Sequence, residues 1–264
     1  MFFNTRSVVI LRISPSLLVS CTFSLTLSIW GMSPAQAADH LNLEEGLPTE
    51  VEDAYPIPYK GLEVQSLLRY ERNGNEDRLL IEPRLEYGIA PNTQARISVP
   101  FSFGDGGEDN IEDVGVELFY NFNTESVSVP AFAISVSADL PTGPESASVD
   151  PTVRLLATKT IGNANMDRLH LNLGYSHNFA PQAGERRDQF SAILGYSRRI
   201  NSDTMLVSDF VFEQEKEADT DAYLLELGIR HQLDPLTVFS IGAGAGLTSD
   251  SPDVRVTLGI QRSL

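Results

Sequence analysis

The chain has 264 residues, with 19 Lys and Arg against 36 Asp and Glu and a formal charge of −17. So acidic a chain has little with which to neutralise phosphates, which argues against nucleic acid as a partner. Its single cysteine, Cys21, excludes an intrachain disulfide and a cysteine-rich metal site.

Residues 1–37 read as a cleaved signal peptide. Arg6 and Arg12 supply a positive start, a Leu/Val/Ile/Phe-rich stretch runs to Trp30, and Ala35-Gln36-Ala37 is a small-residue cleavage site. Leu18-Val19-Ser20-Cys21 resembles a lipoprotein box, but the apolar stretch continues past Cys21. A retained membrane anchor conflicts with Pro15 and with the cleavage site. Removal takes two Arg and no acid, leaving 17 basic and 36 acidic residues on an exported chain.

Residues 38–59 are acidic, carry Pro48, Pro56 and Pro58, and show no sustained period. They read as an irregular periplasmic lead-in arm, too short and too Pro-rich for a plug domain, and are expected to hang as a flexible tail.

From residue 60 to residue 264 the chain reads as twelve runs of about eleven residues in which apolar and polar side chains alternate. In the second run Leu79, Ile81, Leu85, Tyr87 and Ile89 share one face, while Leu80, Glu82, Arg84, Glu86 and Gly88 share the other. The third sets Ala95, Ile97, Val99, Phe101 and Phe103 against Arg96, Ser98, Pro100 and Ser102. The fourth sets Val114, Val116, Leu118, Tyr120 and Phe122 against Gly115, Glu117, Phe119 and Asn121. Later runs repeat the plan, for example Leu169, Leu171, Leu173 and Tyr175 against His170, Asn172, Gly174 and Ser176.

Short turns are predicted at 90–92, 123–126, 162–165, 201–203 and 234–235, and mostly longer connections near 72–77, 104–111, 142–150, 179–188, 214–221 and 248–252. Strands of this length span a bilayer when tilted, and an even strand number returns both ends of the barrel to one side. The prediction is an all-β, up-and-down antiparallel transmembrane β-barrel of about twelve strands in the outer membrane of a Gram-negative cell. A soluble sandwich or lipocalin-like barrel would put the apolar face inside. Here the other face carries Glu63, Arg69, Glu82, Arg84, Glu86, Arg96, Glu117, Arg154, Glu226, Arg230 and Arg255, which are the candidate lumen-lining residues. Ionic groups of both signs suit a wet or salt-bridged lumen. Expected partners are outer-membrane lipids, the barrel assembly machinery and a small-molecule solute. The final strand keeps outward parity to Leu264, where such barrels usually present an aromatic residue to that machinery.

Residues 112–143, EDVGVELFYNFNTESVSVPAFAISVSADLPTG, resemble the phenol-degradation-pathway (MetA-type) outer-membrane barrels. The shared features are an acidic-Gly strand opening, a strand ending in aromatic and polar residues, a short turn, a Pro, an apolar strand and Leu140-Pro141-Thr142-Gly143. The resemblance implies an outer-membrane location and passive uptake of small solutes, hydrophobic or aromatic ones included. It implies no catalytic residues.

An enzymatic reading fails on spacing. Outer-membrane phospholipases of this size place a Ser two positions after a His on one strand face. His40, His170, His177 and His231 are followed at that position by Asn42, Asn172, Phe179 and Leu233, and the adjacent Ser176 and His177 point to opposite faces. No cofactor or metal is expected. The acidic runs Asp105, Glu108, Asp109, Glu112, Asp113 and Glu213, Glu215, Glu217, Asp219, Asp221 lack the order of a dedicated calcium loop and read as solvated outer loops. Gly242, Gly244 and Gly246 share inward parity, where glycine makes room for a bulky neighbour or for a pore. The interior is therefore either a selective channel or a barrel filled by its own salt bridges.

Overall fold

The computed structural model describes residues 38–104, 110–144, 148–162 and 166–264. The signal peptide, the acids at 105–109 and part of the turn at 162–165 lie outside the described residues. Fourteen strand segments follow one another: β1 (Leu62–Asn73), β2 (Glu76–Ala90), β3 (Thr93–Ser98), β4 (Phe101–Gly104), β5 (Asn110–Ile111), β6 (Val114–Asn121), β7 (Ala131–Leu140), β8 (Asp150–Ile161), β9 (Asp167–His177), β10 (Asp188–Arg199), β11 (Thr204–Gln214), β12 (Asp221–Asp234), β13 (Thr237–Gly246) and β14 (Val254–Ser263).

Sequential neighbours pair antiparallel, and β1 pairs with both β2 and β14, closing the sheet into a ring. The ring contains twelve barrel strands, because two of them are interrupted. Pro100 offers no N–H to the ladder, so the third barrel strand breaks into β3 and β4, both paired to β2. The break between β5 and β6 follows it on the next strand, with Glu112 N–H donating to the Pro100 carbonyl at 2.9 Å.

Period-2 alternation holds in three dimensions. Leu85, Ile97, Leu118, Leu155, Leu171, Leu194, Leu225, Leu227 and Ile241 are exposed on the outside and form an apolar belt. The inside is lined by buried polar groups, among them Gln65, Glu86, Gln94, Asn172, Thr257 and Gln261. An apolar exterior around a polar interior is the inverse of a soluble fold and suits a lipid solvent.

Two connections differ from the sequence expectation. Near residues 72–77 the connection is a tight turn at Gly74 and Asn75, because Arg72 pairs with Asp77 and Asn73 with Glu76 at the end of the β1–β2 ladder. Those side chains are polar because both strand faces are wet at the rim, so polarity there does not end the strand. Gly74 takes φ +61°, a conformation glycine adopts without strain. The turn expected at 123–126 is longer: β7 begins only at Ala131, after Val127 and Val129 have passed in the open. Pro130 holds back the start of that ladder.

Placing a charge on the belt tests its lipid contact. Leu171→Arg, in the middle of β9, is expected to lower stability by about 2–4 kcal/mol in denaturant titrations of the protein folded into phospholipid vesicles, whereas a substitution at the exposed tip residue Asn75 leaves it unchanged.

Candidate functional site

The segment 38–59 is irregular, as its prolines and lack of period lead one to expect, but it does not hang outside the barrel. It enters the interior, and Leu43, Leu47, Val51 and Ala54 are all essentially inaccessible. Ala38 N–H donates to the Pro235 carbonyl at 2.9 Å, and Lys60 N–H donates to the Gly88 carbonyl at 2.8 Å. Both ends of the arm therefore sit at the rim that carries the short turns, and the residues between them rise into the barrel and return. The arm is not the free tail that its composition suggests, because inward arginines of the barrel neutralise its acids.

On the arc formed by β10 to β14 the arm is received by shape. A Cβ added at Gly228 or Gly242 would overlap Pro48, one at Gly259 would overlap Leu47, and one at Gly195 would overlap Val51. These glycines make room for the arm rather than for a pore. Gly244 instead makes room for the side chain of Glu226. Arg230 donates to the Leu47 carbonyl at 2.8 Å and to the His40 carbonyl at 3.2 Å.

On the arc from β1 to β8 the arm is received by charge. Arg96 meets Glu52 at 2.9 Å, Glu44 at 3.0 Å and Glu45 at 3.3 Å from the arm, with Glu86 at 2.5 Å and Glu117 at 3.3 Å from the wall. Arg154 meets Glu117 at 2.6 Å, Glu45 at 2.7 Å and Glu52 at 2.8 Å. Arg84 pairs with Glu82 at 2.9 Å and donates to the Glu45 carbonyl. At the seam where β1 joins β14, Glu50 bridges Arg69 at 2.6 Å and Arg255 at 2.8 Å, and Arg255 also holds Glu71.

The arm has no neighbouring strand, so its buried amides need other acceptors. Side chains of the wall supply them: Glu226 takes Glu50 N–H, Asp209 takes Val51 N–H, Asn172 takes Glu52 N–H, Thr158 takes Ala54 N–H and Gln94 takes Ile57 N–H. At the short-turn rim Glu125 accepts bonds from Tyr55 of the arm, from Lys159 and from Thr160. Burial works to raise the Glu125 carboxyl, but these donors hold it below the usual carboxylate range.

All eleven candidate residues point inward. Arg84, Arg96 and Arg154 with Glu82, Glu86 and Glu117 form the ionic patch just described, while Arg69, Arg255 and Glu226 gather around Glu50. Glu63 stands apart near the short-turn rim, held by Gln261 and by Ser263. Arg230 bonds Gln261 and arm carbonyls. The neutral acceptors Gln94, Asn172 and Thr158 carry no charge to mark them in the sequence; their inward parity is the signal that does. His170 is buried between Thr158 and Ser197, while Ser176 bonds Thr152 and His177 bonds Asp188.

Above the arm the interior opens. A cavity of about 950 Å³ at the long-loop end is lined by Glu71, Glu76, Asp77, Arg78, Glu215, Glu217 and their neighbours. A second, of about 470 Å³, lies deeper against Glu45, Glu50, Arg84, Arg96, Glu117 and Arg154. Arg69, Glu213 and Lys216 line both, so the two adjoin and make a funnel whose floor is the arm.

No family profile and no curated protein matches the chain in sequence. Solved structures do match in fold. An outer-membrane channel from Pseudomonas putida F1 superposes with a TM-score of 0.63 at 12% identity, over 80% of this chain and 98% of that one. The NanC porin gives 0.58 at 11% identity, over 77% and 100%. The KdgM porin gives 0.51 at 16% identity, over 76% and 99%. The fold is that of outer-membrane porins and channels. With its apolar belt, this chain is an outer-membrane β-barrel.

Arg96→Met would strip the buried arm and wall carboxylates of their shared cation. Breaking such a buried cluster costs about 3–5 kcal/mol, and the expected result is a matching loss in vesicle denaturation together with faster proteolysis of the arm. Gly242→Val is expected to expose the arm to protease while leaving the strand content, read by circular dichroism, unchanged.

Proposed function

We propose that the protein is a passive outer-membrane channel for small solutes, whose lumen the 38–59 arm holds narrow. The observation that carries this reading is the funnel: two adjoining interior cavities lead in from the long-loop end and stop on a segment that is not part of the barrel wall. A segment fixed by ion pairs and hydrogen bonds can move without breaking the barrel's own ladder. The porin fold supports the same reading.

The lining bears on the solute. Carboxylates and guanidinium groups dominate the funnel, with Leu80, Phe103 and Ile111 as its main apolar side chains. That composition supports small polar or charged solutes above the hydrophobic or aromatic ones implied by the family resemblance. Charged linings select by field as well as by width.

A second reading is a filled structural barrel that presents acidic outer loops. It is favoured by the completeness of the arm's fixing, with five of its amides accepted by wall side chains. Planar bilayers decide between the two. The mature protein is expected to give small conductance steps, and a variant lacking 39–57 that retains barrel circular dichroism is expected to give steps several-fold larger. No steps from either protein, and no swelling of solute-loaded liposomes, would leave the structural reading standing.

A further inference from the structure

The arm brings five acidic side chains into the barrel among its buried residues, and they do not meet the funnel equally. Glu44, Glu52 and Asp53 are fully enclosed between arm and wall. Glu45 keeps 35% of its side chain open while one oxygen lies 2.7 Å from Arg154 and the other 3.3 Å from Arg96. Glu50 keeps 15% open and bridges Arg69 and Arg255. Both line the deeper cavity.

Each of these two carboxylates pairs with two arginines that line the same interior space, and each is more open to that space than its partners are. Remove it, and the guanidinium groups that line the funnel lose the carboxylate offsetting their charge on its open side. The balance of fixed charge is close enough for this to matter. Among the described residues that line the deeper cavity, carboxylates outnumber basic groups seven to five, and without Glu45 and Glu50 the two signs are equal. In a narrow, low-dielectric constriction fixed charges a few ångströms from the path govern local ion concentration far more than in open water.

We propose that Glu45 and Glu50 are the selectivity-determining residues of the pore, and that they make it prefer small cations and cation-bearing solutes by masking Arg96, Arg154, Arg69 and Arg255. Selectivity then belongs to the arm and not to the barrel strands. This rests on the channel reading and adds to it the sign of the preferred solute and the residues that set it.

The outer vestibule is also acidic, which provides the control. Glu76 and Glu217 line only the upper cavity, away from the arm. The mature protein, E45Q/E50Q and E76Q/E217Q are compared in planar bilayers under a KCl gradient, reading reversal potential and unit conductance for each. The wild type is expected to prefer K⁺, and E45Q/E50Q to lower the K⁺ to Cl⁻ permeability ratio by at least about threefold, the effect of a change of order kT in local potential. E76Q/E217Q is expected to change the ratio by less than half as much.

An unchanged ratio in E45Q/E50Q, or an equal shift in the vestibule variant, would overturn the assignment while leaving the channel intact. A larger unit conductance at an unchanged ratio would also overturn it, by showing that the two residues latch the arm without filtering. Silence from the wild type would instead remove the channel reading on which the assignment rests. E45K/E50K gives an independent check, since it should drive the reversal potential to the anion side.

Discussion

The structure depends on one constraint: charged groups turned away from lipid must find partners inside a tube that has no apolar core. Arg96 is where this is most acute. It is buried at mid-barrel among five carboxylates, three of them brought by the arm. A buried ion pair earns little net stability against apolar packing, but an incomplete one is costly, so such a cluster specifies arrangement more than it adds strength. Arg154 shares Glu45, Glu52 and Glu117 with Arg96, and sharing ties β3, β6, β8 and the arm into one unit.

The second half of the interior solves a different problem. On β10 to β14 glycines replace side chains, and Leu47, Pro48 and Val51 fill the space. Shape holds the arm on this arc and charge holds it on the other. The two attachments respond differently to conditions, because close packing is indifferent to ionic strength whereas partly exposed pairs such as Glu45 with Arg154 are weakened by salt. The arm is thus hinged in energetic terms, with a firm side and a yielding side.

Much of the barrel was legible in the sequence because lipid imposes a strict rule on it. Leu169, Leu171 and Leu173 must face outward, so His170 and Asn172 must face inward, and no tertiary detail overrides that parity. The arm was illegible for the opposite reason. Glu44, Glu45, Glu50 and Glu52 obey no period, and an acidic segment with three prolines looks the same whether solvent or arginine neutralises it. Complementarity across distance is the signal that locates it: inward arginines on seven strands, Arg168 of β9 among them, and a glycine at inward parity on each of β10, β12, β13 and β14 leave a polar, hollow interior that needs an acidic occupant. The rim shows the same limit on a smaller scale, since Asp77 and Glu76 look like a loop by polarity although β2 already includes them.

The path of the arm has one consequence for the reversibility of its placement. Because Ala38 and Lys60 both rest at the rim of short turns, the segment between them is an inverted bight and is not threaded through the tube. Withdrawing it would pull no chain end past the closed wall and create no knot, so insertion and release are the same motion run in opposite directions. A strand passing from one mouth to the other would have to be captured while the sheet was still open. This segment can find its place after β14 has joined β1, and can leave it without the ring ever parting.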